Sequence, residues 1–317
     1  MAFNPNFPGS STGSTTTYNL DAFLRVYGGE VVAEYNKAAV IKDKLRHRNI
    51  THGKSASFPT ITKSSAKVHT PGDDLYSGST YNSTMANDEQ IVQVNKMLID
   101  HAFVDGLDEA MQHYDSRSEY AAQMGAALGV GVDTWSIAAL TAGTAGNTSA
   151  TLYASLTTAD KLAQIQTMAG DFDNNGVPKG DRCVIVQPED FYNFIDEDGV
   201  VSKDFGQGAD RGKPGSLHYM GFEVLNSAVW TDFVNKAGLT GAGEPLENIP
   251  TRDGIDTDLT KTWGLGFHKS AAGLVNLKGM MIDVDWIPQR QGHQITAKQA
   301  CGVGILRPAA AGLLKGA

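Results

Sequence analysis

An α+β architecture containing one beam-like helix is what this 317-residue sequence predicts. Three observations lead there. A single apolar or small stripe, Leu107, Met111, Tyr114, Ser118, Ala121, Gly125, Leu128, Val132, Trp135 and Ala139, recurs at alternating four- and three-residue steps from Asp105 to Leu140, the spacing of one helix face. Runs of β-type content flank a turn-rich stretch between Leu45 and Asp100 and return after Gly273. Thr151 to His268 alternates helical patterns, strand patterns and loops.

In chain order, residues 1–20 carry no charged side chain and are dense in Asn, Pro, Gly, Ser and Thr. Such a composition cannot bury enough apolar surface to offset the ordering of the chain. The segment is expected to be a floppy terminus or an arm that orders on a neighbouring subunit. LDAFLRVYGGEVVAEYNKAA (Leu20–Ala39) reads as helical around a break at Gly28-Gly29. SFPTI (Ser57–Ile61) and QIVQVNKMLI (Gln90–Ile99) read as the strands of a long hairpin around Pro71-Gly72, Asp73-Asp74 and the uncharged SGSTYNST. Few apolar residues lie inside it, so support must come from its own domain or from another subunit.

The helix from Asp105 to Leu140, rising about 1.5 Å per residue, spans roughly 50 Å. Asp105, Asp108 and Glu109 would sit in its first turn, opposite the positive end of the dipole. Asp115, Arg117 and Glu119 on its flanks argue against a membrane span. LTTADKLAQIQTMAG (Leu156–Gly170) then reads as a helix, DRCVIVQP as a buried strand, PEDFYNFI as a helix and GFEVLNSAVW (Gly221–Trp230) as a strand. A loop rich in Gly, Asp and Thr fills Asn235–Thr260 before WGLGFH. GLVNLKGMMIDVDWIP and GHQITAKQACGVGILRP are β-type runs that would pair with the hairpin or long-helix region.

With 41% hydrophobic and 19% charged residues, the chain is expected to fold and to bury a core. Its net charge of -9 disfavours wrapping on nucleic acid and binding to anionic membranes. Cys183 and Cys301, with no CxxC pair, fit a reducing compartment and the role of buried small hydrophobes. No basic segment precedes an apolar core at the start, so no signal peptide is expected. The protein is expected to act where it is made or in a particle assembled there. Residues 37–67 hold eight cations, Lys37, Lys42, Lys44, Arg46, Arg48, Lys54, Lys63 and Lys67, against Asp43 alone. Residues 68–120 hold ten carboxylates against Lys96 and Arg117. Opposite fields of this kind either guide a head-to-tail contact between copies or are two solvated faces of one domain.

Catalytic and metal motifs mostly fail. Asp171, Asp173, Asn175 and Gly176 imitate the start of a calcium loop, but the twelfth position is Arg182, where a bidentate Glu is required. A polar helix-to-strand turn is the better reading. Gly53-Lys54-Ser55 ends like a phosphate-binding loop, yet Arg48 stands where its earlier glycine should be. The eight histidines show no HExxH spacing, and there is no GxSxG elbow. An enzymatic reading would have to rest on Asp171, Asp173 and Asp181; a binding-module reading would use the hairpin as an adhesive strand.

The runs FLRVYGGEV, GKSASFP, PGDDL, HYDSRSEYAAQMG, VPKGDRCVIVQPEDF, MGFEV, HKSAAGLVNLK and GILRPAAAG occur in one order along nearly the whole chain. Together they resemble the major capsid proteins of T-seven-like short-tailed phages. That resemblance implies the Hong Kong 97-like α+β fold. It would have an N-terminal arm at 1–50, an extended E-loop at 51–95, a peripheral domain at 96–150 with a spine helix at 105–140, and an axial domain at 151–268. Peripheral strands would follow at 269–300 and a C-terminal axial segment at 301–317. The implied protein is a non-enzymatic virion component without cofactor or metal, assembled in the host cytoplasm. It would form hexamers and pentamers of an icosahedral head, with a scaffolding protein, a portal and packaged double-stranded DNA as partners, and no membrane. The tip region Tyr76–Thr84 carries Ser, Thr, Tyr and Asn where relatives tend to be charged, so hydrogen bonding would replace electrostatic locking there. The segments around Thr141–Thr151 and Asp196–Gly215 look shorter than in relatives, and no Lys and Asn pair for covalent crosslinking is identifiable.

Inter-subunit contacts are expected at Arg46, Arg48, Lys54, Lys63, Lys67, Asp73, Asp74, Asp115, Arg117 and Glu119. Gly125, Gly129 and Gly131 lie inside the helix, where each glycine costs about 1 kcal/mol relative to alanine. Two explanations stand side by side: the cluster lets the helix bend between shell states, or it admits another backbone closely.

Overall fold

A computed structural model describes residues 30–61, 66, 68–69, 71–72, 87–105, 116–144, 157–196, 217–236 and 262–316. The helices are α1 (30–38), α2 (Ser116–Gly143), α3 (Thr158–Asn174), α4 (Pro188–Asp196) and α5 (Ala228–Lys236). The strands are β1 (Arg46–Asn49), β2 (Ser55–Ile61), β3 (Asn87–Gln93), β4 (Leu98–Asp105), β5 (Arg182–Val186), β6 (Leu217–Tyr219), β7 (Phe222–Asn226), β8 (Thr262–His268), β9 (Ala272–Ile287), β10 (Gly292–Ile305) and β11 (Ala311–Lys315). Two compact units result. One is drawn from Met1–Val40, Lys96–Asp133 and Lys278–Cys301; the other from Ile41–Asn95, Thr134–Leu277 and Gly302–Ala317.

In the first unit, β4 and β10 pair antiparallel from Gly292 opposite Asp105 to Gln299 opposite Leu98. Alternation sends Val104, Ile295, Ala297 and Gln299 to a buried face and leaves Ile99, His101 and Phe103 exposed on the other. The helix α1 buries Val31 and Tyr35. Its Tyr35 hydroxyl accepts from Gln299 Nε2 at 3.0 Å. Just past its end, the Val40 N–H donates to the buried carboxylate of Asp133 at 2.8 Å.

The second unit contains a five-stranded mixed sheet in the order β11-β8-β5-β7-β6. All five residues of β5 and all seven of β8 are buried, as expected for inner strands read as continuous apolar runs. Helix α3 starts with a capping box: the Thr157 side chain accepts from the Asp160 N–H while Asp160 accepts from the Thr157 N–H. Trp230 and Trp263 anchor the helical side, Trp230 Nε1 donating to the Trp263 carbonyl and Trp263 Nε1 to Gln164 Oε1. The same unit holds β1, parallel to the start of β9 from Arg46 opposite Gly273 to Asn49 opposite Asn276.

Several expectations need correction. Asp105 is the last residue of β4, not the first turn of a helix, and α2 is described from Ser116 onward. Pairing with β10 fixes period-two burial at Leu98–Asp105, and that cross-strand partner is invisible to a helical stripe. Within α2 the stripe holds at Gly125, Leu128, Val132, Trp135 and Ala139. From Trp135 to Thr141, however, every residue is buried, so the helix end is enclosed all round. Ala122–Gly143 has the length and hydropathy of a membrane span, but that surface is mostly covered by the protein itself.

The run Gln90–Ile99 is not one strand. It breaks between Gln93 and Leu98, and its halves enter different sheets, β3 with β2 and β4 with β10. Likewise GFEVLNSAVW stops being a strand at Asn226, and Ala228–Lys236 is a helix with Trp230 fully buried. Inside the segment expected as an arm, residues 30–38 form a helix and Arg46–Asn49 a strand.

Candidate assembly surfaces

The hairpin stem pairs β2 with β3 from Ser55 opposite Gln93 to Ile61 opposite Asn87. Ala56, Phe58 and Val92 are buried, whereas Ile91 is exposed. A track of glycines on β9 and β10 makes this seat. A Cβ at Gly273 would lie 2.9 Å from the Phe58 ring, one at Gly304 2.9 Å from Val92, and one at Gly302 under 3.0 Å from the Gln93 carbonyl. The Val94 N–H donates to the Lys54 carbonyl at 2.8 Å and closes the base. Support for the stem therefore comes from its own chain. The turn-rich region expected at its tip lies mostly outside the described residues.

Of the charged candidates, Arg46, Arg48 and Lys54 are exposed on β1 and the loop after it. Arg48 also donates to the Ser57 carbonyl and holds its guanidinium 5.9 Å from the Phe58 ring centre, which ties β1 to the stem. Lys44, from the same basic run, is paired within the chain to Glu223 at 2.6 Å. Glu119 is exposed on α2. Lys63, Lys67, Asp73, Asp74 and Asp115 lie outside the described residues, as does the Arg117 side chain.

The glycines of α2 divide by neighbour. A Cβ at Gly125 would fall under 3.0 Å from the Val31 carbonyl oxygen, and one at Gly129 would lie 2.9 Å from Ala38 Cβ and 3.1 Å from the Tyr35 oxygen. These two, four residues apart, let α1 cross α2 backbone to backbone. Gly131 instead faces the Leu98 side chain at 3.2 Å. The contacts at Gly125 and Gly129 are those the close-approach explanation requires.

Residues that could suggest chemistry have structural partners. Among the described residues no group of three or more His, Cys, Asp and Glu could hold a metal. Asp171 and Asp173 close α3, followed by Asn175 at its C-cap and Gly176 at φ 65°. The Asp173 carboxylate accepts from Arg182 at 2.7 Å and pairs with Lys179 at 3.3 Å. The Arg182 hydrogen bond holds its pKa below the ordinary carboxylate value. Burial lowers the pKa of His268, whose Nδ1 accepts from the Ser270 N–H at 3.1 Å.

Both shifts have the same consequence. A folded pKa below the unfolded one means that the unfolded chain binds more protons, so stability falls as pH falls. His268 contributes fully above its ordinary value of 6.5, and that contribution is lost as pH drops towards its lower folded value. Asp173 loses its part further down, below its ordinary 3.8. Thermal unfolding followed from neutral to acid pH should show a falling midpoint, and His268→Gln should flatten the upper limb. A midpoint that rises on mild acidification would contradict the assignment.

Cys183 and Cys301 are buried and unbridged, and burial pushes each thiol up to about 12. Neither supplies a thiolate near neutral pH. A thiol reagent at pH 8 should leave the folded chain untouched and titrate both cysteines after denaturation; rapid reaction of the native protein would refute this.

Sequence reading missed the β1 strand, since RHRN has no strand pattern and is exposed throughout. The partners of Arg182 inside that buried strand were also missed; the signal was an Arg opening an apolar run after a polar turn.

Comparison with known proteins adds the following. The Gp10A-like major capsid protein family matches over residues 57–315. The chain is 28% identical to the major capsid protein of Enterobacteria phage T3, over 95% of this chain and 93% of that one. It is 26% identical to the major capsid protein of Escherichia phage T7, over 92% and 91%. Among solved structures, the capsid of cyanophage P-SCSP1u superposes with a TM-score of 0.69 at 24% identity, covering 99% of this chain and 93% of that one.

Proposed function

This chain belongs to the Gp10A-like family of major capsid proteins, with the mixed α+β fold of Hong Kong 97-like capsids, and from that premise we propose how its parts serve the head shell of a tailed phage. The product of such a protein is geometry rather than a reaction, and its own copies are its principal partners.

Copies join as hexamers and pentamers into an icosahedral wall around double-stranded DNA, assembled with a scaffolding protein and a portal. The hairpin stem β2–β3 is the root of the E-loop at 51–95, and α2 is the spine helix of a peripheral domain at 96–150 and 269–300. The five-stranded sheet with α3, α4 and α5 is the core of the axial domain at 151–268. Pairing of β11 with β8 from Ala311 opposite Phe267 supports the assignment of the C-terminal segment to that domain. The N-terminal arm at 1–50 includes α1, which packs on α2 at Gly125 and Gly129, and β1, which pairs with the start of β9. Exposed Arg46, Arg48, Lys54 and Glu119 are candidate contacts between copies, together with Lys63, Lys67, Asp73, Asp74, Asp115 and Arg117. The acidic balance suits a container, because a wall that gripped phosphates would hinder packing and release of DNA.

What carries this reading is that the likeness runs over nearly the whole chain rather than over one module. Co-expression with the scaffolding protein, followed by negative-stain microscopy and sedimentation, should give closed shells or tubes. Monodisperse small oligomers alone would end it.

A further inference from the structure

Three segments of the second unit meet at one histidine. His268 ends β8, immediately after Phe267, which pairs with Ala311 at the start of β11. It opens a tight turn in which the Ala271 N–H donates to the His268 carbonyl at 2.7 Å. The Ala271 carbonyl in turn receives the N–H groups of Leu306 and Arg307, at 2.7 and 3.1 Å, on the link that leads into β11. On the other side, the Lys269 N–H donates at 3.2 Å to the carbonyl of Asp181, a non-glycine residue held at φ 55° just ahead of β5. Arg307 completes the circle, its Nη2 donating to the Asn175 carbonyl at 2.8 Å. The turn, the lead-in to β5 and the C-terminal link are thus bonded to one another around a residue that is only 8% exposed.

This seat accepts the neutral ring. His268 Nδ1 accepts from the Ser270 N–H at 3.1 Å and lies 2.8 Å from the Ser270 hydroxyl. It therefore carries no proton, and the proton of the neutral ring sits on Nε2. Charging the ring would place a new N–H on Nδ1, facing the Ser270 N–H. The hydroxyl can rotate to accept it, but the main-chain donor cannot. The charged groups around the ring are Asp181 ahead of β5, Arg182 within β5 and Arg307 on the link. Asp181 and a hydrogen bond to the Gly180 main chain favour the charged ring; burial, the largest influence, opposes it together with Arg182 and Arg307.

We propose that His268 is the pin of an acid-releasable clasp that holds the C-terminal segment to the five-stranded sheet. When its ring is charged, the 268–271 turn opens, Ala271 lets go of Leu306 and Arg307, and the entry to β11 is freed. Opening stays local, because β5 is paired over all five of its residues with β7 on one side and β8 on the other. The clasp belongs to the fold of the subunit and stands independently of the shell reading.

Hydrogen exchange of the full-length subunit, read by mass spectrometry and corrected for the intrinsic effect of pH, tests it. Below the ordinary histidine value of 6.5, opening at Lys269–Ala271 and Leu306–Arg307 should rise by up to about tenfold per pH unit, the slope of one proton. The amides of β5 should stay protected. In His268→Gln, whose amide takes up no proton in this range, the slope should vanish. Should that variant fail to fold, magnetic resonance of isotope-labelled histidine in the unsubstituted chain decides: at neutral pH the ring should be neutral with its proton on Nε2. A flat pH profile, an equal slope in the glutamine variant, a slope shared by β5, or a ring protonated on Nδ1 at neutral pH would each overturn the clasp.

Discussion

Arg182→Ala is expected to destabilise the second unit by about 3 kcal/mol or more. The Arg182 side chain is only 2% exposed. Its Nε donates to the Pro178 carbonyl at 2.8 Å, and its Nη2 donates to the Val177 carbonyl at 2.6 Å and to Asp173 Oδ1 at 2.7 Å. The guanidinium also lies 5.6 Å from the Phe172 ring centre and 5.8 Å from that of Phe222. Truncation strands those carbonyls and opens a cavity between two core rings, and each stranded buried acceptor costs about 1–3 kcal/mol. A domain stable by about 5–15 kcal/mol would lose a large share of its margin. The variant should melt well below the unsubstituted chain and accumulate as aggregate in place of shells. Arg182→Lys should recover little, because an ammonium cannot reproduce the planar fork. Unchanged melting of the alanine variant would show that the buried guanidinium is dispensable.

Gly125→Ala is the second large effect, and its sign runs against helix propensity. Inside an exposed helix the change would gain about 1 kcal/mol. Here the new methyl meets the Val31 carbonyl oxygen of α1 at under 3.0 Å, and backbone cannot step aside as a side chain can. Overpacking of this kind costs about 1–3 kcal/mol, so a net loss is expected, with α1 displaced from α2. Gly170→Ala on α3 is the matched control: nothing lies within 4 Å of its Cβ position, so it should be neutral or stabilising by up to about 1 kcal/mol. Gly131→Ala should be mild, since the Leu98 side chain it meets can shift. This ordering separates the two explanations of the cluster. If the glycines served only to let the spine bend, the three alanine variants of α2 would melt alike or better and differ in shell expansion. Calorimetry of the soluble chains, with microscopy of particles before and after expansion, decides between them.

Much of the architecture was legible because periodicity is local. Leu128, Val132, Trp135 and Ala139 announce a helix face by spacing alone, and Cys183-Val184-Ile185-Val186 announces an inner strand by being apolar without a break. The capsid identity was legible for a different reason, the order of eight runs along the chain. Where reading failed, the deciding partner lay far away in sequence. Asp105 looks like a helix-start carboxylate until Gly292 pairs with it, and Val94–Met97 looks like mid-strand until β2 and β10 claim its two sides.

The candidate contacts were less legible than the fold. Arg48 is exposed, and its bonding to Ser57 and Phe58 of its own chain could not be read from the sequence. The end of β9, where no residue of Lys278–Ile287 is buried among the described residues, was read simply as β-type sequence, since MMIDVDWI has the same composition whether it is buried or not.

The sequence by itself determined most of the element types and the family to which the chain belongs, because these depend on side-chain order and spacing along one chain. Only the tertiary structure decided where two backbones touch at Gly125 and Gly129, which sheet receives β4, and how Arg182 is satisfied inside a core. The physical reason is that burial and main-chain pairing belong to pairs of segments. A chain lists the members of each pair but not their meeting.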